Sequence, residues 1–564
     1  MDNGEQDGRY IGGFAKQLYP TGMDRKSQYF NFQNHFEALC DALGNKMATL
    51  VSLNFGHYFL KEGVYTFIGA ETAQGLPNAQ VYYSFIRGAS KQYGVPWFGN
   101  SSVWNRWGYK SYQVDERYNG GPTKGTSLSL LKRLLYSQIF YNSMMVGFES
   151  GFLNGDALGS IGSIQQQANK WLGEFGQPGN MLIQVALMVD FFSGWSFPRH
   201  LYSREIYKVW GNLPYEPGDY LTNNILDMFY HGYQNSSYFH DETGFNVPTP
   251  YGDVVDCIFS DCPLWLMERY PVIVIAGALN HSIELKNKLE AYVKEGGCLI
   301  LTASNLLDTE KGWMDIKPSG KQVKLDPASE IIINGNAVKE DQPFTISPLQ
   351  FPDNAEVLAR WQDMPIAARI NIGKGKLIVF TSNMGIPDKA INLPVSSEID
   401  ADLKNPYPLL EHLRIILHDV FEAQKLFSVG EELSYIINRK SPGKYNLLVC
   451  NNTWEEKPLK IESQAGKIIS IKENHLDEKE TSETGYFPDG FEDLKPGKNS
   501  KKSISGGSVR IFTLEVDEEN IETIPHYKHE NNNQGRYLRL NDNEMIKHAI
   551  LSRPTFFQHF CGIV

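Results

Sequence analysis

The segment from Thr126 to Tyr141 sets Leu128, Leu131, Leu134 and Leu135 at helical spacing. It hands on directly to Met144-Met145-Val146-Gly147-Phe148-Glu149-Ser150, an apolar run closed by one carboxylate. A helix feeding a buried strand is one step of a parallel β/α arrangement. An acid at the end of such a strand is how a (β/α) barrel brings a reacting group to its C-terminal face. A lone Glu in that place is more often an ordinary strand-end acid, so the neighbouring segments decide what Glu149 means.

Upstream the same alternation recurs. Phe32 to Leu43 has the spacing of a helix, and Ala48 to Asn54 reads as a strand. A connector over Gly56 to Gly63 leads to a strand from Val64 to Glu71. A helix over Ala79 to Tyr93 and a strand over Val95 to Ser102 follow. Strands alternating with helices imply parallel pairing. Four strands are legible where a closed barrel needs eight, so residues 1–180 read as the C-terminal part of a (β/α)8-type barrel.

Residues 181–427 read as a second α/β unit of doubly wound, flavodoxin-like type. Leu182 to Val189 and Tyr270 to Gly277 are continuous apolar runs, as in a sheet covered on both faces. A helix bearing Leu285, Leu289 and Val293 ends at Gly296-Gly297. Strands at Cys298 to Thr302 and Gly373 to Thr381 complete the set. Such sheets hold ligands beyond their strand C-termini. From Phe191 to Asp261 runs an aromatic, Gly/Pro-rich insertion that includes Trp195, Trp210, Tyr220 and Tyr238. Residues 428–517 shift to short strands split by turns, the texture of a small all-β sandwich. Residues 518–564 read as a linker and the start of a further segment. Both ends are abrupt, and the expectation is a piece of a longer protein.

Several function classes fall away. With 53 Lys and Arg against 65 Asp and Glu, net charge -12, the chain repels phosphate backbones, and nucleic acid is not an expected partner. No run of 18 apolar residues is present, so no membrane-spanning helix is expected. The six cysteines are scattered without CxxC spacing, which argues against zinc and against a disulfide framework. His240-Asp241-Glu242 has no partner at ligand spacing. No GxGxxG, P-loop or GxSxG occurs. Neither cofactor nor metal is expected. The compartment is not legible; a leader upstream of the piece would make it periplasmic or secreted.

Three carboxylates lie where barrel strands should end: Glu5, Glu71 and Glu149. Glycosidic hydrolysis needs two, one to protonate the leaving oxygen and one to attack C1 or activate water. Glu5 sits in Asn3-Gly4-Glu5-Gln6-Asp7-Gly8, which reads equally as a polar turn. Glu71 follows Gly69-Ala70 and reads equally as a helix-capping acid. Asn54, His57, Asn100 and Arg106 are candidate hydroxyl contacts. Trp97, Trp104, Trp107 and Tyr109 are candidate stacking platforms for an oligo- or polysaccharide. The second unit has Ala276-Gly277-Ala278-Leu279-Asn280 where a glutamine amidotransferase would place its cysteine, so that chemistry is missing.

A barrel with acids at its strand ends, an amidotransferase-like domain without its nucleophile, and a small β-domain resemble the glycoside hydrolase family 42 β-galactosidases. Related trimeric clan-A β-glycosidases share the layout, family 164 β-mannosidases among them. The resemblance covers most of residues 1–516. It implies a retaining β-glycosidase with Glu5 as acid/base and Glu149 as nucleophile, Glu71 remaining a rival for either role. It also implies a homotrimer built through the second unit.

Overall fold

The computed structural model describes residues 24–27, 29–30, 33, 41, 47–49, 56–61, 65–72, 79–101, 128–148, 153–154, 157–158, 160–194, 217–231, 246–306, 312–382, 408–453, 455–474 and 502–518. Three sheets organise them.

The first is a row of four parallel strands in chain order: β1 (Met47–Thr49), β2 (Tyr65–Thr72), β3 (Trp97–Ser101) and β4 (Met145–Phe148). Helices α1 (Gly56–Lys61), α2 (Ala79–Tyr93) and α3 (Leu128–Phe140) fill the crossovers. Residues 56–61 of the stretch read as a connector therefore form a helix. Helix α2 ends at Gly94, whose φ of 70° is the left-handed turn that releases a helix C-terminus. Among the described residues these four strands form an open row, not a closed barrel. The next helix, α4 (Ser160–Phe175), packs on α3 and carries Trp171 against Phe140.

The second sheet has nine strands. Five are parallel neighbours: β6 (Val185–Val189), β7 (Val255–Phe259), β8 (Val272–Ile275), β9 (Cys298–Thr302) and β14 (Gly375–Phe380). Strand β7 is the end strand. Their unbroken apolar sequences follow from cover on both faces. Helix α6 (Ile283–Lys294) starts where the Ser282 side chain accepts the Leu285 N–H at 3.0 Å, with Glu284 in the first turn and Lys294 in the last, each favourable to the helix dipole. The sheet continues through antiparallel strands β10 (Ser329–Ile333), β11 (Asn336–Glu340), β12 (Glu356–Trp361) and β13 (Met364–Ile372). These were not expected from the sequence. Asn334-Gly335, with φ of 51° and 80°, makes the tight turn between β10 and β11. A further helix, α5 (Pro217–Phe229), lies inside the stretch read as an aromatic insertion.

The third sheet is antiparallel: β17 (Lys467–Glu473), β18 (Val509–Asp517), β16 (Lys444–Cys450), β15 (Ser434–Ser441) and the short β5 (Asn180–Met181). Two short ribbons pack over it around Phe427, Ala465 and Ile504. Helix α7 (Leu410–Glu422) precedes it and packs on α5. One apolar core runs without a break from α2 and α3 of the first unit to β6 and β7 of the second.

Candidate active site at the strand ends

The two faces of the four-stranded sheet are told apart by what packs on them. The Trp97 ring lies 5.4 Å from that of Tyr83 on α2. The side chain of Gln138 on α3 fills the space beside Gly99, where an added Cβ would lie 2.6 Å from it. Gln138 also donates to the Ser101 hydroxyl at 3.0 Å and to the Tyr83 hydroxyl at 2.6 Å. Residues 97, 99 and 101 thus face the helices. By strand alternation Phe98 and Asn100 face the other way. The Phe98 ring lies over Gly69, within 2.5 Å of where a Cβ would stand.

Register then places a row across the C-terminal end. Glu71 pairs with Asn100, and Asn100 pairs with Gly147. One step below lie Gly69, Phe98 and Met145. All are positions on the face away from the described helices, the face that would line the inside if such a row closed into a barrel. An acid, a buried amide and a glycine occupy the last row, with an aromatic beneath them. Glu149 follows Gly147 by two positions in the sequence and lies outside the described residues, as do Glu5, Asn54, Trp104, Arg106, Trp107 and Tyr109.

Two expectations change. Trp97 is buried on the helix side, so it packs between the sheet and α2 instead of walling a cleft. Trp97 and Asn100 stand an odd number of positions apart, and alternation forbids them a common face. The aromatic that shares a face with Asn100 is Phe98, which the same rule identifies from sequence alone. His57 is also removed from any opening. It stacks on Phe259 with ring centroids 3.9 Å apart, and its Nε2 lies 2.6 Å from the Phe191 carbonyl oxygen. Burial pulls its pKa down to about 4, so the ring is neutral at pH 7 and its Nε2–H donates to that carbonyl.

The C-terminal end of the nine-stranded sheet is arranged differently. Asp190, just past β6, is buried and its carboxylate is used up by protein. It accepts from the Asn280 backbone N–H at 2.7 Å and the Asn280 amide at 3.0 Å. It accepts from the N–H groups of Phe192 and Ser193 at 3.0 and 3.1 Å. Burial raises its pKa while these bonds pull it down. The turn after β8, where the amidotransferase cysteine would stand, is closed by α5: a Cβ on Gly218 would lie 2.6 Å from the Ala278 nitrogen.

No family model matches the chain, and no curated protein matches it. Solved structures do. A β-galactosidase from Bacillus circulans sp. alkalophilus superposes with a TM-score of 0.51 at 13% identity, over 87% of this chain and 67% of that one. A catalytic mutant of a GH42 β-galactosidase from G. stearothermophilus gives 0.47 at 13%, over 82% and 61%. A β-galactosidase from the haloarchaeon Halorubrum lacusprofundi gives 0.47 at 11%, over 88% and 68%. The chain thus spans about two thirds of the length of the solved structures it matches. At this identity the likeness speaks for the fold, and at that level the resemblance to the family 42 β-galactosidases stands.

Proposed function

We propose that the chain is a glycoside hydrolase acting on β-linked glycosides through two carboxylates with retention of configuration. The observation that carries this reading is the row Glu71–Asn100–Gly147 at the C-terminal ends of parallel strands, on the face away from the helices. Glu149 is the nucleophile, placed in sequence to continue the Gly147 face. Glu71 or Glu5 is the acid/base. Strands β2 and β4 are two strand spacings apart, roughly 10 Å, and a retaining pair works at a carboxyl separation of ~5 Å.

The acid/base protonates the glycosidic oxygen as the C1–O bond breaks. Glu149 attacks C1 and forms a glycosyl-enzyme ester. Water, deprotonated by the same acid/base, then attacks C1 and releases Glu149. Asn100 donates its amide to a sugar hydroxyl next to C1. The Phe98 ring, over a glycine on one side, offers an apolar floor.

The test is kinetic. Glu149→Ala, Glu71→Gln and Glu5→Gln are assayed on aryl β-galactoside, β-mannoside and β-glucoside panels, with azide added for rescue. A nucleophile variant is rescued to an α-glycosyl azide, and an acid/base variant to a β-glycosyl azide. Full activity in Glu149→Ala removes Glu149. Saccharide binding without turnover in the wild-type chain would instead favour a carbohydrate-binding role, a reading that the chain's partial span of its structural neighbours keeps in play. The homotrimer belongs to the same reading, and sedimentation equilibrium decides it.

A further inference from the structure

Helix α2 is buried on almost every side, and its polar residues serve strands of a different sheet. A Cβ on Gly88 would stand 1.7 Å from the Cys257 carbonyl oxygen, so helix and β7 meet backbone to backbone. Next to it, Arg87 donates from Nε to Asp256 Oδ1 at 3.0 Å and from a terminal nitrogen to the Val255 carbonyl at 2.6 Å. The same guanidinium lies 3.8 Å from Asp253 Oδ1 and 4.5 Å from the centre of the Tyr141 ring.

The two aspartates are enclosed by protein. Asp256 also receives Lys91 and, at 2.9 Å, the Tyr270 hydroxyl. Asp253 receives the Tyr141 hydroxyl and, at 2.7 Å, the Tyr230 hydroxyl. Burial pushes both carboxyls up. Lys91 and Arg87 overcome this at Asp256, which stays below the usual range; at Asp253 Arg87 and the two tyrosine hydroxyls do not, and that carboxyl stays above it.

Contacts at other levels extend the seam. Gln80 and the Val247 backbone exchange two hydrogen bonds, at 2.7 and 3.2 Å. Gln92 accepts the Phe259 N–H at 2.8 Å, serving the end strand of the nine-stranded sheet. His57 and Tyr58 of α1 bond the carbonyls of Phe191 and Phe192. The opposite side of α2 holds β3: Tyr83 lies against Trp97, and the Ser90 hydroxyl bonds the Val95 carbonyl.

We propose that α2 joins the four-stranded and nine-stranded sheets into one cooperative unit, with Arg87 fixing the register of that helix along β7. Units connected only by surface contacts open separately. Here the helix supplies the cover and the polar partners of a sheet edge that would otherwise be bare. The buried guanidinium matches one axial position of the helix, since a shift by a residue would take it from Asp256 Oδ1 and the Val255 carbonyl and leave Asp253 with tyrosine hydroxyls alone. The ends of β2 and β3 then cannot move independently of the second unit. This holds whatever reaction the site performs.

Native-state hydrogen exchange of the whole wild-type chain, followed across a denaturant gradient, tests it. The amides of 97–101 and 255–259 should converge on a single opening isotherm. Two isotherms with different denaturant dependence would overturn the proposal. Arg87→Met should split the isotherms and speed exchange at 255–259 by at least a hundredfold. Adding Asp253→Asn to Arg87→Met should restore convergence, because Asp256 keeps Lys91 and Tyr270 while the charge left without a cation at Asp253 is gone. If Arg87→Met leaves a single isotherm, or the double variant stays as split as the single one, Arg87 does not set the register.

Discussion

The parallel strands of the two larger sheets end differently, although in both topologies strand C-termini are the place where ligands are commonly held. The nine-stranded sheet ends in Asp190, whose oxygens are committed to Asn280 and to the turn at Phe192 and Ser193, and helix α5 closes on the next turn. The four-stranded sheet ends in the row Glu71–Asn100–Gly147, with Gly69 beside Phe98 and Gly147 beside Asn100. A carboxylate saturated by backbone N–H groups shapes a loop. At the other sheet an acid, an amide and a glycine share a row on the face away from the described helices. The same place in the topology is therefore filled by different residue types at the two sheets.

The largest expected effect bears on that contrast. Glu71→Gln or Glu149→Gln should lower kcat/KM on the best aryl glycoside by about 10³-fold or more, whereas Asp190→Asn should leave kcat within a few-fold while lowering stability by about 1–3 kcal/mol. If Asp190→Asn abolishes turnover and Glu71→Gln does not, the comparison is reversed and the second sheet holds the chemistry. The next effect is structural. Gly88→Ala forces a methyl into the Cys257 carbonyl, and urea unfolding should show a loss of about 3 kcal/mol. A neutral result would mean that the helix sits farther from β7 than described.

His57 sharpens the comparison through pH. Its folded pKa of about 4 lies below the ordinary 6.5, so below pH 6.5 the unfolded chain takes up a proton that the fold refuses. The stability it contributes is complete above pH 6.5 and is lost as pH falls toward 4, by up to about 3 kcal/mol. His57→Gln should flatten unfolding free energy over that window and leave KM unchanged. A raised KM with no change in acid stability would return His57 to the substrate site. The smallest effect is a control in the antiparallel extension. Gly335 has φ of 80° and open space around it, so Gly335→Ala should cost about 1 kcal/mol through backbone strain alone and leave activity untouched.

Much of the fold was legible. Helix α2 spans the residues that its periodicity marks, and strands β6, β8 and β9 stand within the apolar runs. Local pattern dictates those elements. Strands β10 to β13 escaped because segments such as Ser329–Ile333 and Met364–Ile372 show no regular apolar–polar alternation and pair only with each other and with β14. Within the site, Glu71 and Asn100 could be named from sequence. Their common face needed the register, and Trp97, the first residue of β3, falls on the helix side because it stands an odd number of positions from Asn100. Arg87 could not be found at all. A lone arginine on an apolar helix discloses nothing until Asp256, far along the chain, is brought against it.

The backbone contact at Gly88 also bears on how such chains can be recombined. A chimera that takes residues 79–93 from one parent and 247–261 from another inherits a lock and a key cut separately. Crossovers should survive only where both stretches travel together, even though the obvious splice point lies between them near residue 180.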